Sequence, residues 1–369
     1  MTNLLYIITG LGSGGAEKLL AEVCGALHKQ YQITVVFLKE GNTYEDQLRA
    51  VEIEPIFVDQ NKLGLFGSIM QVRKIIKQKK IRIVHTHLPS ADTVGRIAAL
   101  LCPQVKWIIS SIHAQDEWKR VRTLPYAILR TFNRVTVNCF KRVKLIAVSK
   151  AVKAHCMEYE YIRGDKITVV YNFVNYEENE KNNHKENMPP LKTPDNFVMV
   201  TIARIDPVKG YTTLLNAVKT LCDEGQNILL VALGEGSQRQ ELETFVQKNG
   251  LKQHVRFMGF RKNTYDFLRG ADLFVLASTQ EGQSLAVLEA FYCGTPVLAS
   301  DILANSELLG DGKNGVLFRA NDTGDLAQKI KEIRENKYDL AAIRENAKAF
   351  GQTMSIENHT MQLERIYNE

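Results

Sequence analysis

Residues Asp272–Ala277 are an apolar run of strand length, and Pro296–Ser300 are a second. A short helix fits between them. Ser284 can cap it, Gly294 can end it, and Pro296 prevents its continuation. Strand, loop, helix and strand in that order make the βαβ unit of a parallel sheet. Any fold open to this chain must accommodate that unit.

The same alternation runs through the rest of the chain. Strands are expected at Leu4–Ile8, Ile33–Leu38, Ile81–His85, Val105–Ser110, Leu145–Val148 and Ile167–Val170, with helical patterns at about 65–79, 90–101, 120–140 and 149–158. Residues 176–194 are polar and read as a linker. Alternation resumes with strands at Phe197–Ile202, Ile228–Ala232, Val255–Met258, Asp272–Ala277, Pro296–Ser300 and Gly315–Phe318. An amphipathic stretch, Ser355–Tyr367, closes the chain. At 369 residues the chain is too long for one ordinary core. The expectation is an α/β protein with domains at 1–175 and 195–350, a linker at 176–194 and a terminal helix within 351–369.

Composition excludes several classes. No apolar run approaches the roughly 18 residues of a membrane span. Met1–Gly10 lacks a basic leader and reads as a first strand rather than a signal peptide. The six cysteines form no C-x-x-C pair and read as reduced, cytosolic packing residues. The net charge of +6 is unevenly placed. Residues 1–190 carry 27 Lys+Arg against 18 Asp+Glu, whereas the remainder is slightly acidic. Much of the excess lies in Lys119–Lys153, with ten basic residues and no acidic one. Interleaved apolar residues suit that stretch to an anionic membrane surface or to a plain solvated face over a core helix. No nucleic-acid motif accompanies it.

Glu281 lies in the loop after one strand, and Glu289 lies one turn after Leu285 on the apolar side of the helix. A carboxylate on a buried face is costly unless it is hydrogen-bonded. Backbone N–H groups near Ser284 and Leu285 point unpaired into the same crevice, where open α/β sheets bind ligands. A sugar nucleotide offers an anion to the helix terminus and hydroxyls to two carboxylates. Arg204 and Lys209 follow the first strand of the second half, Arg204 closing it and Lys209 beginning the next helix. Together they can clamp a diphosphate, the Arg by its fork and the Lys as a point charge; alone they are ordinary surface cations. Gly234-Glu-Gly236 and Gly259 mark loops of close backbone approach, and Phe260 and Arg261 follow. Backbone there could hold a nucleobase, though turn glycines explain each motif alone.

Three further features leave alternatives open. Gly10-x-Gly12-x-x-Gly15, with Glu40 ending the second strand, fits a dinucleotide fingerprint and taken alone points to NAD. The same turn, through Gly14 and Gly15, suits any phosphate or sugar at a helix N-terminus. His113 follows a strand and could meet a sugar hydroxyl. His85 and His87 lie two apart on one strand face, as metal ligands can, but the sequence offers no third ligand and no Asp-x-Asp pair.

Taken in order and spacing, these residues resemble glycosyltransferase family 4. The resemblance is carried by Gly14-Gly15-Ala-Glu17, Ser110-Ser-Ile-His113, Arg204…Lys209-Gly210, Gly234-Glu-Gly236, Glu281 to Glu289, and Gly294-Thr-Pro296 with Asp301. It implies a GT-B fold, two Rossmann-like domains facing across a cleft, with a nucleotide-sugar in the C-terminal domain and the acceptor in the N-terminal one. It implies a metal-independent, retaining hexosyltransferase that takes a nucleotide-sugar co-substrate, UDP-linked by preference and GDP-linked as the variant, with no separate cofactor. Arg204 and Lys209 would take the diphosphate and Glu289 the ribose. Glu281, with backbone at Gln283, Ser284 and Leu285, would hold the donor sugar. Gly14 and Gly15 would close over the phosphates, and His113 would contact the sugar near its anomeric carbon. The last helix would cross back to the N-terminal domain. The acceptor would be a glycan or lipid-linked glycan of surface polysaccharide or lipopolysaccharide-type synthesis, met in the cytoplasm or on the inner face of the plasma membrane. Gln283-Ser284 departs from the aromatic or proline common in the family, which bears on donor identity. The competing readings are an NAD-dependent oxidoreductase and a catalytically silent partner subunit of the same fold.

Overall fold

The computed structural model describes residues 1–12, 14–114, 124–177, 180 and 191–369. Residues 119–123 of the basic stretch, and 178–179 and 181–190 of the expected linker, lie outside the described residues. The chain divides into two units, Met1–Phe173 with Ile356–Glu369, and Val174–Ser355.

Among the described residues the first unit holds seven strands: β1 Thr2–Ile8, β2 Tyr31–Phe37, β3 Ile56–Phe57, β4 Ile83–His87, β5 Trp107–Ile112, β6 Val143–Ala147 and β7 Ile167–Val169. They pair in parallel in the order β3-β2-β1-β4-β5-β6-β7. The second unit holds β8 Phe197–Ile202, β9 Ile228–Leu233, β10 Val255–Gly259, β11 Leu273–Leu276, β12 Val297–Ser300 and β13 Val316–Phe318. These are parallel too, in the order β10-β9-β8-β11-β12-β13. In both sheets the chain winds outward from a central strand, returns, and winds the other way. The reversal leaves a crevice at the carboxyl ends of β1 and β4, and another at those of β8 and β11.

Parallel strands covered on both faces need continuous apolar sequence, not alternation. Ile228–Leu233 is such a run, and all six residues are buried. The covering helices show the 3.6-residue period instead. Helix Gly15–Leu27 buries Leu19, Leu20, Val23, Cys24 and Leu27. The terminal helix Ile356–Asn368 belongs to the first unit, where the Tyr367 hydroxyl meets that of Tyr6 at 2.9 Å.

Strand ends differ from the sequence expectation by one or two residues, in both directions. β4 runs to His87 rather than His85, and β5 to Ile112 rather than Ser110. The apolar runs stop early because the sheets place buried polar residues at their carboxyl ends. Conversely β2 stops at Phe37, so Glu40 stands exposed, three residues beyond it. The two-residue strand β3 and helices Glu45–Arg49 and Leu340–Thr353 carry too little pattern, or lie too far from a strand, to be read singly from the chain.

The basic stretch is partly internal. Arg142 donates to the carbonyls of Leu100, Cys102 and Val105, Lys153 donates to that of Ile167, and Lys144 pairs with Glu369. Arg134, Val135, Phe140 and Lys141 face outward. Buried Arg96 pairs with Asp92 at 2.8 Å and donates to Asn133 and Thr136, which anchors helix Leu124–Cys139 beneath that surface. Among the described residues no helix is long and apolar enough to cross a membrane.

Candidate active site

In the second unit the polar residues converge at the ends of β8 and β11. β8 ends at Ile202, so Arg204 stands two residues into the loop instead of closing the strand. Lys209 ends a 3-10 turn, Pro207–Lys209, and does not open a helix. The helix starts at Tyr211, after Gly210 at φ +68. Only glycine fits there. A Cβ on Gly210 would overlap the carbonyl oxygen of Ala277 as well as strain the backbone. This contact, with Thr279 N–H donating to Val208 at 2.8 Å, welds the loop after β8 to the loop after β11.

The weld sets Lys209 beside Glu281. Lys209 Nζ lies 2.7 Å from Glu281 Oε1, which also accepts from Ser278 Oγ at 2.6 Å. Both side chains of the ion pair are mostly buried. Arg204 extends into solvent, 74% exposed, and its guanidinium meets Asp206 at 2.9 Å. The other oxygen of Asp206 accepts from Ser237 N–H at 3.3 Å and Ser237 Oγ at 3.1 Å. Asp206 therefore ties Arg204 to the loop that Gly234 and Gly236 open. Gly234, at φ +136, backs onto the Ala203 carbonyl with no room for a side chain.

Helix Leu285–Cys293 points its N-terminus at this crevice. Ser284 caps it, accepting from Val287 N–H at 3.4 Å, and Gly294 ends it at φ +71. Gln283 and Ser284 are buried, and Leu285 is partly so. Glu289, on the inner side of the helix, is 7% exposed and accepts from Thr264 Oγ1 at 3.3 Å. Glu281 and Glu289 thus have separate partners. Gly259, at φ +71, closes β10, Phe260 is exposed beyond it, and Arg261 folds back onto the Met258 carbonyl at 3.1 Å. Asp206, Ser278 and Thr264 were missed by the sequence reading. For two of them the signal is proximity, since Asp206 sits two residues from Arg204 and Ser278 three from Glu281; Thr264, 25 residues from Glu289, carries none.

In the first unit Gly14 caps helix Gly15–Leu27 in an extended conformation, with no side-chain cap. His113 directly follows β5 and shares a hydrogen bond with His87, the last residue of β4, at 2.9 Å between its Nε2 and His87 Nδ1. The His85 and His87 rings stack at 4.5 Å. His85 is held at both nitrogens, Nδ1 by the Tyr367 hydroxyl and Nε2 by Ser111 Oγ, each at 2.7 Å. Burial pushes His85 down to about 3 and His113 to about 4, neighbouring histidines adding to both, and holds His87 well below its ordinary value. All three rings are neutral at physiological pH. Among the described residues no group of three or more His, Cys, Asp or Glu side chains is placed to hold a metal ion.

Two family profiles match successive parts of the chain: Glycosyltransferase Family 4 over residues 13–178, and Glycosyl transferases group 1 over residues 183–350. The chain belongs to glycosyltransferase family 4. Among its relatives is UDP-Gal:alpha-D-GlcNAc-diphosphoundecaprenol alpha-1,3-galactosyltransferase of Escherichia coli, 27% identical over 84% of this chain and 82% of that one. Another is the N-acetylgalactosamine-N,N'-diacetylbacillosaminyl-diphospho-undecaprenol 4-alpha-N-acetylgalactosaminyltransferase of Campylobacter jejuni, 22% identical over 94% of both chains. HepE of Anabaena, solved in complex with UDP-glucose, matches this glycosyltransferase over the whole of both chains with a TM-score of 0.83 at 21% identity. The fold is GT-B. Membership in this family displaces the oxidoreductase reading of the first glycine turn.

Proposed function

We propose that this glycosyltransferase moves a sugar from a UDP-sugar to a hydroxyl of a glycan or lipid-linked glycan, with retention of anomeric configuration and without a metal ion. The observation that carries the reading is the Lys209–Glu281 pair, set beside a helix N-terminus and a second buried glutamate. Cations stored against carboxylates are ready to exchange partners for a diphosphate. UDP and lipid diphosphates in the names and titles of several relatives support the donor and acceptor classes.

In this reading Arg204 and Lys209 take the diphosphate and stabilise the charge it gains on leaving. Glu289 binds the ribose hydroxyls. Gly234, Gly259, Phe260 and Arg261 surround the base, Gly14 and Gly15 approach the phosphates, and Gln283, Ser284 and Leu285 offer backbone to the donor. Glu281, kept in place by Ser278, orients a sugar hydroxyl, and His113 meets the sugar. The bond from the anomeric carbon to the phosphate oxygen breaks while the acceptor oxygen bonds to that carbon on the same face. The departing phosphate oxygen accepts the acceptor's proton. A second carboxylate nucleophile is not required, unlike in retaining hydrolases.

The acceptor class assigns the enzyme to surface polysaccharide or lipopolysaccharide-type synthesis at the cytoplasmic face of a membrane. The outward residues Arg134, Val135, Phe140 and Lys141 suit an anionic lipid surface.

Thermal melting with UDP, GDP, ADP and NAD, in EDTA, tests the donor site. Selective stabilisation by UDP, lost in Glu289→Ala, is expected. Stabilisation by NAD alone would remove the reading. Release of UDP from UDP-sugars in the presence of a lipid-diphosphate acceptor, with product anomers read by NMR, separates an active transferase from a silent subunit.

A further inference from the structure

We propose that His87 is a positioning residue that sets the tautomer of His113, so that His113 presents an Nδ1–H donor and no free lone pair. The inference starts from one shared proton. His87 Nδ1 and His113 Nε2 lie 2.9 Å apart, and only one of them can carry the hydrogen between them. Each neutral imidazole carries one N–H, so the choice at this contact dictates the state of both outer nitrogens.

The outer nitrogen of His87 decides the matter. His87 is 8% exposed, and its Nε2 is buried without a hydrogen-bond partner. It belongs to a ring that lines a mostly apolar cavity, whose other walls include Leu19, Val23, Val170, Leu363, Asn172 and His359. If His113 donated from Nε2, His87 Nε2 would carry an N–H with no protein acceptor in reach. If His87 donates from Nδ1, its Nε2 is a bare lone pair. An orphaned buried donor is the rarer and costlier of the two. His87 therefore donates, His113 Nε2 accepts, and the remaining proton of His113 sits on Nδ1.

The surroundings hold this arrangement. His85 stacks on His87 and is itself fixed at both nitrogens by Tyr367 and Ser111. Nearby His359 donates from Nδ1 to the Tyr171 carbonyl at 2.7 Å, which fixes its tautomer as well. Burial keeps the rings neutral, so the contact is never opened by a second proton near neutral pH. A donor-only His113 can hydrogen-bond a sugar oxygen but cannot act as a general base. That consequence for transfer rests on the function proposed above, whereas the tautomer is a property of this unit alone.

Nitrogen-15 NMR of histidine-labelled enzyme at neutral pH reads the tautomers directly, with His113→Asn and His87→Asn as assignments. Protonated Nδ1 on both His87 and His113 is expected. Protonated Nε2 on His113 would overturn the proposal. In steady-state transfer, His87→Phe should lower kcat by about tenfold or more, with KM for the UDP-sugar and stabilisation by UDP changed little. His87→Asn, whose amide can still donate to His113, should recover most of that loss. Equal damage in the two folded variants, or none in either, would count against the proposal. Should His87→Phe not fold, the wild-type spectrum and the Asn variant decide. Should the wild-type enzyme transfer no sugar, the proposed function fails and the spectrum alone decides the tautomer.

Discussion

The two sheets share a winding pattern and differ in what they gather at their switch points. At β8 and β11 the gathered groups are charged: Lys209 faces Glu281 and Arg204 faces Asp206. At β1 and β4 they are uncharged rings, His85 and His87 stacked and bonded to Tyr367, Ser111 and His113. A charged site can exchange an internal partner for an anionic ligand at small net cost, because each cation finds an oxyanion before and after. A neutral site cannot bind an anion that way, but it can hold a hydrogen-bond direction without attracting counter-ions. The first suits a diphosphate, and the second suits a sugar oxygen.

That contrast can be broken from the charged side first. Lys209→Ala should lower kcat/KM by about 10²–10³, roughly 3–4 kcal/mol, through loss of the leaving-group cation. If activity fell less than tenfold, the pair would be structural only. Gly210→Val tests the weld that builds the pair. With φ at +68 and the Ala277 carbonyl in the way, it should cost about 3 kcal/mol or more, read by denaturant unfolding.

The neutral side predicts a pH signature. His85 is pushed down to about 3 from an ordinary 6.5, so between those values the unfolded chain binds a proton that the folded chain refuses. The stability that His85 contributes is complete above about 6.5 and is lost as pH falls towards its folded value. The slope is at most roughly 1.4 kcal/mol per pH unit for one ring. His113 and His359, both near 4, act in the same direction. Melting temperature should therefore drop steadily from pH 7 to pH 5, and His85→Gln should flatten that drop. A pH-independent melting temperature in the wild type would contradict buried neutral rings.

The smallest effects belong to the solvent-exposed pairs. Asp206→Asn should alter stability by under about 1 kcal/mol, since Arg204 is mostly in water, while shifting UDP affinity by a few-fold in melting assays. Reversing Arg134 and Lys141 to Glu should weaken binding to anionic vesicles at low salt and leave transfer to a water-soluble acceptor unchanged. Unaltered vesicle binding would reassign that face to plain solvation.

Much of the architecture was legible in the chain because it is local. Runs such as Ile228–Leu233, the Ser284 cap and the Gly294 stop act within a few residues, and their order implied parallel sheets. The site was legible as a set of residue types: a Lys, an Arg, two Glu and a His at family spacing. Which groups touch was not. Glu281 meets Lys209 across 72 residues only because the loops after β8 and β11 meet at Gly210. Asp206 looked like any loop acid until Ser237 was brought to it from the loop after β9. The basic stretch looked uniform, yet Arg142 and Lys153 turn inward to carbonyls that only the folded sheet presents. His85 and His87 read as a lone metal-like pair, because nothing in their spacing announces Tyr367, 280 or more residues away, or His113 just after the next strand. Propensity and periodicity act along the chain, so sequence alone determined the elements and the chemistry they carry. Partnership acts through space, so the ion pairs, the weld and the protonation state of the histidines were decided by tertiary packing.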